Sequence, residues 1–191
     1  MINLFSLREV TKNDAELILK WRMSKKVTQF MNSDIVYDID SQNEWISSCY
    51  NKKTYYHWII MYDDSPVGLL NLADYEEREG TTSWGFYIGE DNLNGVGGFV
   101  PPFFYNWVFD RLGVNEVKVE VFFSNLNVIR LHQLHGYKFT PINDRLIHKN
   151  NEDILLVSMS LHECDWYRKK YEKFQMKFPV THWSKLPKLL K

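Results

Sequence analysis

Apolar and polar positions alternate with changing period along this chain, and the changes of period divide it into elements. Residues 4–8 read as a first strand. Thr11 or Asn13 can cap a helix running to about Met23, with Ala15, Ile18, Leu19 and Arg22 at helical spacing. Residues 27–37 are irregular, and Asp40 or Ser41 opens a second helix to about Tyr50. Residues 57–62 and 67–73 are strands around Asp63-Asp64-Ser65-Pro66, a hairpin. A charged turn leads into a strand at 83–88, followed by a glycine-rich loop and an apolar helix to Leu112. Residues 116–123 form a strand, and 126–135 a helix stopped by Gly136. Residues 137–141 and 154–161 are strands, with a polar connection at 143–153. The order β-α-α-β-β-β-α-β-α-β-β implies an α/β (α+β) domain over residues 1–162. It has a mixed, mostly antiparallel central sheet with helices on both faces. Tyr167, Tyr171, Phe174 and Phe178 then make an aromatic stripe at helical spacing. Residues 163–191, with eight Lys/Arg against three acids, therefore read as a basic helical extension packed on the domain.

The stretch from Trp84 to Gly98 carries the most chemical information. Three glycines within four residues sit between a strand and a helix, where backbone N–H groups can turn toward one point beside a helix N-terminus. Such an arrangement holds a phosphate or pyrophosphate without a side chain. No Lys-Ser/Thr follows, so it is not a P-loop, and Gly95-Val-Gly97-Gly98-Phe-Val does not fit the dinucleotide fingerprint. By itself the loop is either a ligand cradle or a tight structural turn.

Composition narrows the class. With 191 residues, 45% hydrophobic and 25% charged, the chain makes one ordinary globular domain. A net charge of −1 gives no global attraction to nucleic acid or an acidic membrane. Cys49 and Cys164 stand in no paired motif, which argues against a disulfide framework and a Cys-based metal site. With no apolar run of spanning length and no leader-like start, the expected address is the cytoplasm, without integral membrane association. Aromatics reach 16%, which serves either a ring-rich core or a ligand with a flat face.

A second constellation follows the strand at 116–123: Asn125, Leu131, His132, Gly136 and Tyr137. Together with Asn92-x-x-Gly95-x-Gly97-Gly98, it resembles the GNAT superfamily of acetyl-CoA-dependent N-acetyltransferases. In that family a Gln/Arg-x-x-Gly-x-Gly/Ala loop follows the fourth strand, and an Asn-x-x-Ala-x-x-Leu-Tyr-x-x-x-Gly-Phe segment follows the fifth. Here Val128 stands for the Ala and His132 for the Tyr. A sparser pattern looks like the pseudaminic acid pathway acetyltransferases. It comprises Lys20-Trp21-Arg22, Gln29-Phe30-Met31, Gln42, Trp45, Pro66-Val-Gly68 and Trp84-Gly-Phe-Tyr-Ile-Gly89. Those enzymes acetylate the 4-amine of a UDP-linked 4-amino-4,6-dideoxy sugar. The pattern overlaps acetyltransferases of protein N-termini and of aminoglycosides, and a non-catalytic acyl-CoA-binding protein on the same fold is a further alternative.

The resemblance implies roles. Backbone groups of Tyr87, Ile88 and Gly89 would meet the pantetheine arm of acetyl-CoA. Those of Leu93, Asn94, Gly95, Val96, Gly97, Gly98 and Phe99 would meet its pyrophosphate, with Asn125 opening the second cofactor element. Pro101-Pro102, where the family has non-proline residues, removes two donors but suits a first helical turn. Glu120 is the expected general base, or else a strand glutamate paired with Lys118 or a neighbouring strand; Glu90 and Asp74 are alternatives. His132, in place of the family Tyr, is the expected general acid, or else a helix surface residue. Arg22 is the expected partner of the nucleotide phosphates, or else an Arg paired with an acidic neighbour. Phe30 and Met31 would wall the sugar, and Trp84 would contact it or belong to the core. No metal site is expected, and homodimers are common in the family although nothing here identifies an interface.

Overall fold

Two tight turns organise the sheet. Asp63 and Asp64 adopt φ of 49° and 56°, and Asn150 and Asn151 φ of 53° and 61°. Consecutive left-handed residues make the turn whose twist suits an antiparallel hairpin, and Asp and Asn tolerate it best after glycine. The first turn joins β2 (Tyr56–Tyr62) to β3 (Ser65–Glu76); the second joins β7 (Arg145–Lys149) to β8 (Glu152–His162). The computed structural model describes residues 2–52, 54–93 and 95–180. With β1 (Phe5–Glu9), β4 (Thr81–Ile88), β5 (Glu116–Phe122) and β6 (Lys138–Phe139), they form one sheet in the order β1-β2-β3-β4-β5-β8-β6, with β7 also on β8. All pairings are antiparallel except that of β4 with β5. This is the mixed sheet expected from the sequence, except that β7 falls inside the stretch read as a polar connection. The Asn-Asn turn was the signal for it.

Period-2 alternation buries both faces of the sheet. Ile59, Leu69 and Tyr87 face α1 (Ala15–Met23) and α3 (Ile39–Asn51), meeting Ala15, Ile18, Trp21 and Ile46. The opposite face, with Trp58, Ile60, Leu70, Leu72 and Trp84, packs on α4 (Val100–Trp107) and on Ile129 of α5 (Leu126–Leu134). Thr11 and Asp14 form a capping box just before α1, and Asp38 caps α3 through the N–H groups of Asp40 and Ser41. The helix predicted to reach Leu112 is a composite: a 3-10 turn at Val96–Phe99, α4 with prolines in its first turn, and a π turn at Val108–Leu112 closed by Gly113 at φ 69°.

The extension differs from its expected form. Its described part, to residue 180, holds a 3-10 turn at Glu163–Asp165, further turns to residue 173 and then irregular chain, not a helix. The reason lies in α4. Buried Asn106 donates from Nδ2 to the carbonyls of Tyr171 and Phe174, 2.9 Å each, and accepts from Trp166 Nε1 at 2.8 Å. Those carbonyls are thereby held by a side chain of another element. Tyr171 stacks on Trp166, Phe178 stacks on Trp107, and Trp58 Nε1 donates to the Pro179 carbonyl. Of the aromatic stripe, Tyr171, Phe174 and Phe178 pack on the domain, while Tyr167 is exposed. Residues 181–191 of the expected extension lie outside the described residues.

Candidate active site

β4 and β5 pair in parallel at only three positions, Thr81–Glu116, Thr82–Val117 and Ser83–Lys118, and then diverge. β4 runs on to Ile88 and β5 to Phe122, leaving two facing strand edges with backbone groups unpaired across the gap. An extended ligand can lie in such an opening and hydrogen-bond to its walls.

The glycine loop closes one end of the opening. Gly95, at φ 85°, starts the 3-10 turn, and a Cβ built on Gly95 or Gly98 meets no atom within 4 Å among the described residues beyond its chain neighbours. Glycine here keeps space clear beside a helix start, which fits a pyrophosphate. Gly97 is different: its Cβ would come 3.2 Å from Ile88, so close packing accounts for it. Within the turn, Val96, Gly98 and Val100 N–H already reach the carbonyls of Leu93, Gly95 and Gly97, the first two at 3.2 and 3.3 Å. These long bonds leave N–H groups that can be shared with an anion. Leu93 and Phe99 pack against the core, and Asn94 lies outside the described residues. Asn125 is the N-cap of α5, accepting from Val128 N–H at 3.4 Å. Gly89 has its own explanation: its N–H donates to the Val67 carbonyl at 2.8 Å, and a Cβ there would stand 2.1 Å from the Trp21 ring.

On the α4 side of the sheet the residues expected to do chemistry are core. Trp84, expected against the substrate, is 6% exposed and stacked on Phe104 with ring centroids 4.4 Å apart. His132, expected as an acid, is 4% exposed. A hydrogen-bonded chain runs to it. Trp84 Nε1 can only donate, and it donates to Tyr137 Oη at 3.0 Å; Tyr137 and Tyr105 hydroxyls bond to each other, and Tyr105 Oη lies 3.4 Å from His132 Nδ1. Burial, with a small contribution from His135, lowers the His132 pKa to about 3. Burial thus favours an uncharged imidazole at neutral pH, which speaks against the acid role expected of it.

The α1 side is polar. Arg22 Nη2 donates to the Ser33 carbonyl at 3.0 Å. Its guanidinium is half-buried, and desolvation lowers its pKa, offset in part by Tyr87 and Asp34. No carboxylate hydrogen-bonds to it among the described residues. Beside it, Tyr87 turns its ring to this side, edge-on to Trp21; its hydroxyl has no partner among the described residues, and burial drives its pKa well above the usual range, opposed in part by Arg22. Phe30 meets Phe122 of β5 edge-on, centroids 6.5 Å apart, and Met31 follows it on the same loop. Glu120 shares the Phe122 face of β5, opposite Val119 and Val121. It is exposed and accepts a bidentate pair from Arg145 of β7, at 2.7 and 2.6 Å. The alternative bases are also engaged: Glu90 accepts from Trp21 Nε1 at 2.8 Å and Asp74 from Ser83 Oγ at 2.7 Å. Arg145 had no signal in the sequence, because its strand was not recognised.

A small cavity of about 20 Å³ lies elsewhere, under α3 beside His57, and has room for a single water. Among the described residues no group of His, Cys, Asp or Glu could hold a metal ion, and no helix is long and apolar enough to cross a membrane.

Residues 7–155 match the family model described as the acetyltransferase (GNAT) domain. Two curated relatives from Campylobacter jejuni carry the name acetyltransferase PseH. One is 24% identical over 137 residues, 72% of this chain and 85% of the relative; the other is 22% identical over 164 residues, 86% and 97%. Among solved structures, a Vibrio cholerae spermidine N-acetyltransferase in complex with CoA and spermine aligns at a TM-score of 0.77 with 11% identity, over 85% of this chain and 98% of its own. The C. jejuni N-acetyltransferase PseH aligns at 0.61 with 18% identity, over 84% and 99%. The splayed strands, the open glycine cradle and these matches agree: the chain belongs to the GNAT acetyltransferase family.

Proposed function

We propose that this acetyltransferase moves acetyl from acetyl-CoA to the 4-amine of a UDP-linked 4-amino-4,6-dideoxy sugar, the acceptor of the pseudaminic acid pathway. The observation that carries this reading is Arg22, a half-buried guanidinium with no carboxylate bonded to it, next to the unpartnered hydroxyl of Tyr87. A half-buried guanidinium whose described partners are only the carbonyl and hydroxyl of Ser33, beside a buried hydroxyl, favours a substrate that brings its own anion, and a diphosphate does. The relatives named PseH point to the same pathway.

The amine nitrogen attacks the acetyl carbon, the C–S bond breaks, and CoA leaves as a thiolate. Glu120 removes the amine proton through a water, with Arg145 fixing the carboxylate's orientation. Free backbone N–H groups on the β4 edge stabilise the negative oxygen formed during attack. A thiol with a pKa of about 8.5 departs readily, so water supplies its proton and His132 remains a neutral wall. The reaction runs in a cytoplasmic protein, and a homodimer is compatible with it.

A polyamine or aminoglycoside acceptor, by contrast, needs unpaired carboxylates. On this side Glu120 is neutralised by Arg145 and Asp34 by Lys149. CoA release should be measured with the UDP-4-amino sugar, spermidine, an aminoglycoside and a peptide N-terminus. Turnover confined to the UDP-sugar is expected. Turnover confined to a cationic amine overturns the acceptor, and tight acetyl-CoA binding without turnover on any amine favours the non-catalytic alternative.

A further inference from the structure

Lys149, the last residue of β7, is 7% exposed, and its ammonium sits at the centre of a loop from the other end of the chain. It donates to the carbonyls of Thr28 and Met31, 2.7 Å each, and pairs with Asp34 Oδ1 at 2.9 Å. Thr28 Oγ1 donates to the same carboxylate oxygen at 2.9 Å. The two carbonyls lie at and just beyond the end of α2 (Lys25–Thr28), the negative end of that turn. A buried ammonium has three hydrogens, and here each has an acceptor.

The topology gives this knot its significance. Phe122, last in β5, pairs with Leu156, while the β7–β8 hairpin runs on to the Lys149–Glu152 pair. The hairpin tip therefore projects past the point where β5 leaves the sheet and ties down residues 28–34, which carry Phe30 and Met31. The knot also occupies Asp34, the carboxylate whose charge Arg22 feels.

We propose that Lys149 is a positioning residue for the acceptor. It fixes the 28–34 loop as a wall of the acceptor side, and it keeps Asp34 away from Arg22, so that this guanidinium remains available to an anion. The proposal rests on the reading that the acceptor binds between this loop, Arg22 and β5. Lys149→Met keeps the stem and removes the charge. Asp34 is then left with Arg22 as its nearest cation, and the loop loses its anchor.

The test measures two quantities on Lys149→Met, Lys149→Arg and Asp34→Asn: KM for each substrate, and amide hydrogen exchange of residues 28–34. In Lys149→Met, acceptor KM is expected to rise about tenfold or more, since the Thr28 and Met31 carbonyls lose their donor and the loop loses its anchor. The acetyl-CoA KM should stay within about twofold, the loop amides should exchange faster, and Lys149→Arg should recover much of the loss. Asp34→Asn loosens the loop while leaving Arg22 unopposed, so its acceptor KM should rise less. If Lys149→Met does not fold, the Asp34→Asn and Lys149→Arg measurements carry the same test. Unchanged exchange in 28–34 overturns the anchoring role. A loosened loop with unchanged acceptor KM overturns the placement of the acceptor against it, and equal rises in both KM values reduce Lys149 to a fold-stabilising residue.

Discussion

The two sides of the β4–β5 opening are built by different means. On the α4 side, aromatic rings pack on one another: Trp84 on Phe104, Phe174 on Phe99 and Phe103, Trp107 on Phe178. Polar atoms there join in chains such as that from Trp84 to His132, while His135 Nδ1 is buried without a partner among the described residues. On the α1 side, ions cross between elements: Arg145 to Glu120, Lys149 to Asp34, Lys26 to the Glu90 carbonyl. The first side can be rigid because packed rings have few alternative arrangements. The second keeps charges and an orphan hydroxyl near the opening, where an acceptor can use them. On the proposed reading, the GNAT frame holds the donor while acceptor choice is set by side chains of the α1 side.

Several changes should break or sharpen this contrast, and the largest effect is expected at Glu120. Glu120→Gln should lower kcat about 10²–10⁴-fold with little change in acetyl-CoA KM, as for loss of a general base. Turnover within a few-fold of wild type would remove Glu120 from the chemistry. Next, the two kinds of glycine should separate. Gly98→Ala places a methyl in space that no atom of the described residues occupies, so thermal stability should hold within about 0.5 kcal/mol while acetyl-CoA KM rises about tenfold or more. Gly89→Ala drives a Cβ into Trp21 and should cost about 1–3 kcal/mol or more. Equal stability of the two variants would refute the distinction.

A third expectation concerns acid. Burial, first among the causes in each case, lowers the pKa of His57, His132 and His135 to about 4, 3 and 4. The unfolded chain binds these protons near pH 6.5, the folded chain only near pH 3–4, so unfolding takes up protons between those values. The stabilisation is complete above about pH 6.5 and is lost as pH falls toward the folded values. The melting temperature should therefore drop by about 10 °C or more from pH 7 to pH 4.5, and less in His132→Phe. The smallest effect is expected for that same substitution on turnover: kcat at pH 7 should change by less than about fivefold, whereas loss of a general acid would cost about a hundredfold or more.

How far this was legible in the sequence follows the same division. The glycine loop, Asn125 and Gly136 could be read because their chemistry is local: a turn, a cap and a helix stop within a dozen residues. Asp63-Asp64 marked its hairpin in the same way. Asn150-Asn151 carried an equal signal, but the mixed polarity of residues 145–149 hid β7, and with it Arg145 and Lys149. Trp84 and His132 look like site residues from their motif positions, yet Phe104, Tyr105 and Tyr137 enclose them from other elements. The tail's stripe has helical spacing, and only Asn106, 65 and 68 residues from the carbonyls it holds, shows why no helix forms. Periodicity reports which face is buried, not which distant group satisfies a carbonyl.

The measurement that bears most directly on the acceptor side compares kcat/KM for the UDP-linked amino sugar and for the same sugar without UDP, in wild type and in Arg22→Met. Wild type should favour the UDP-sugar by about a hundredfold, a bidentate anion contact being worth a few kcal/mol, and Arg22→Met should lose most of that preference with acetyl-CoA KM unchanged. An equal preference in both proteins would show that Arg22 does not read the anion and would contradict the account of this side of the opening.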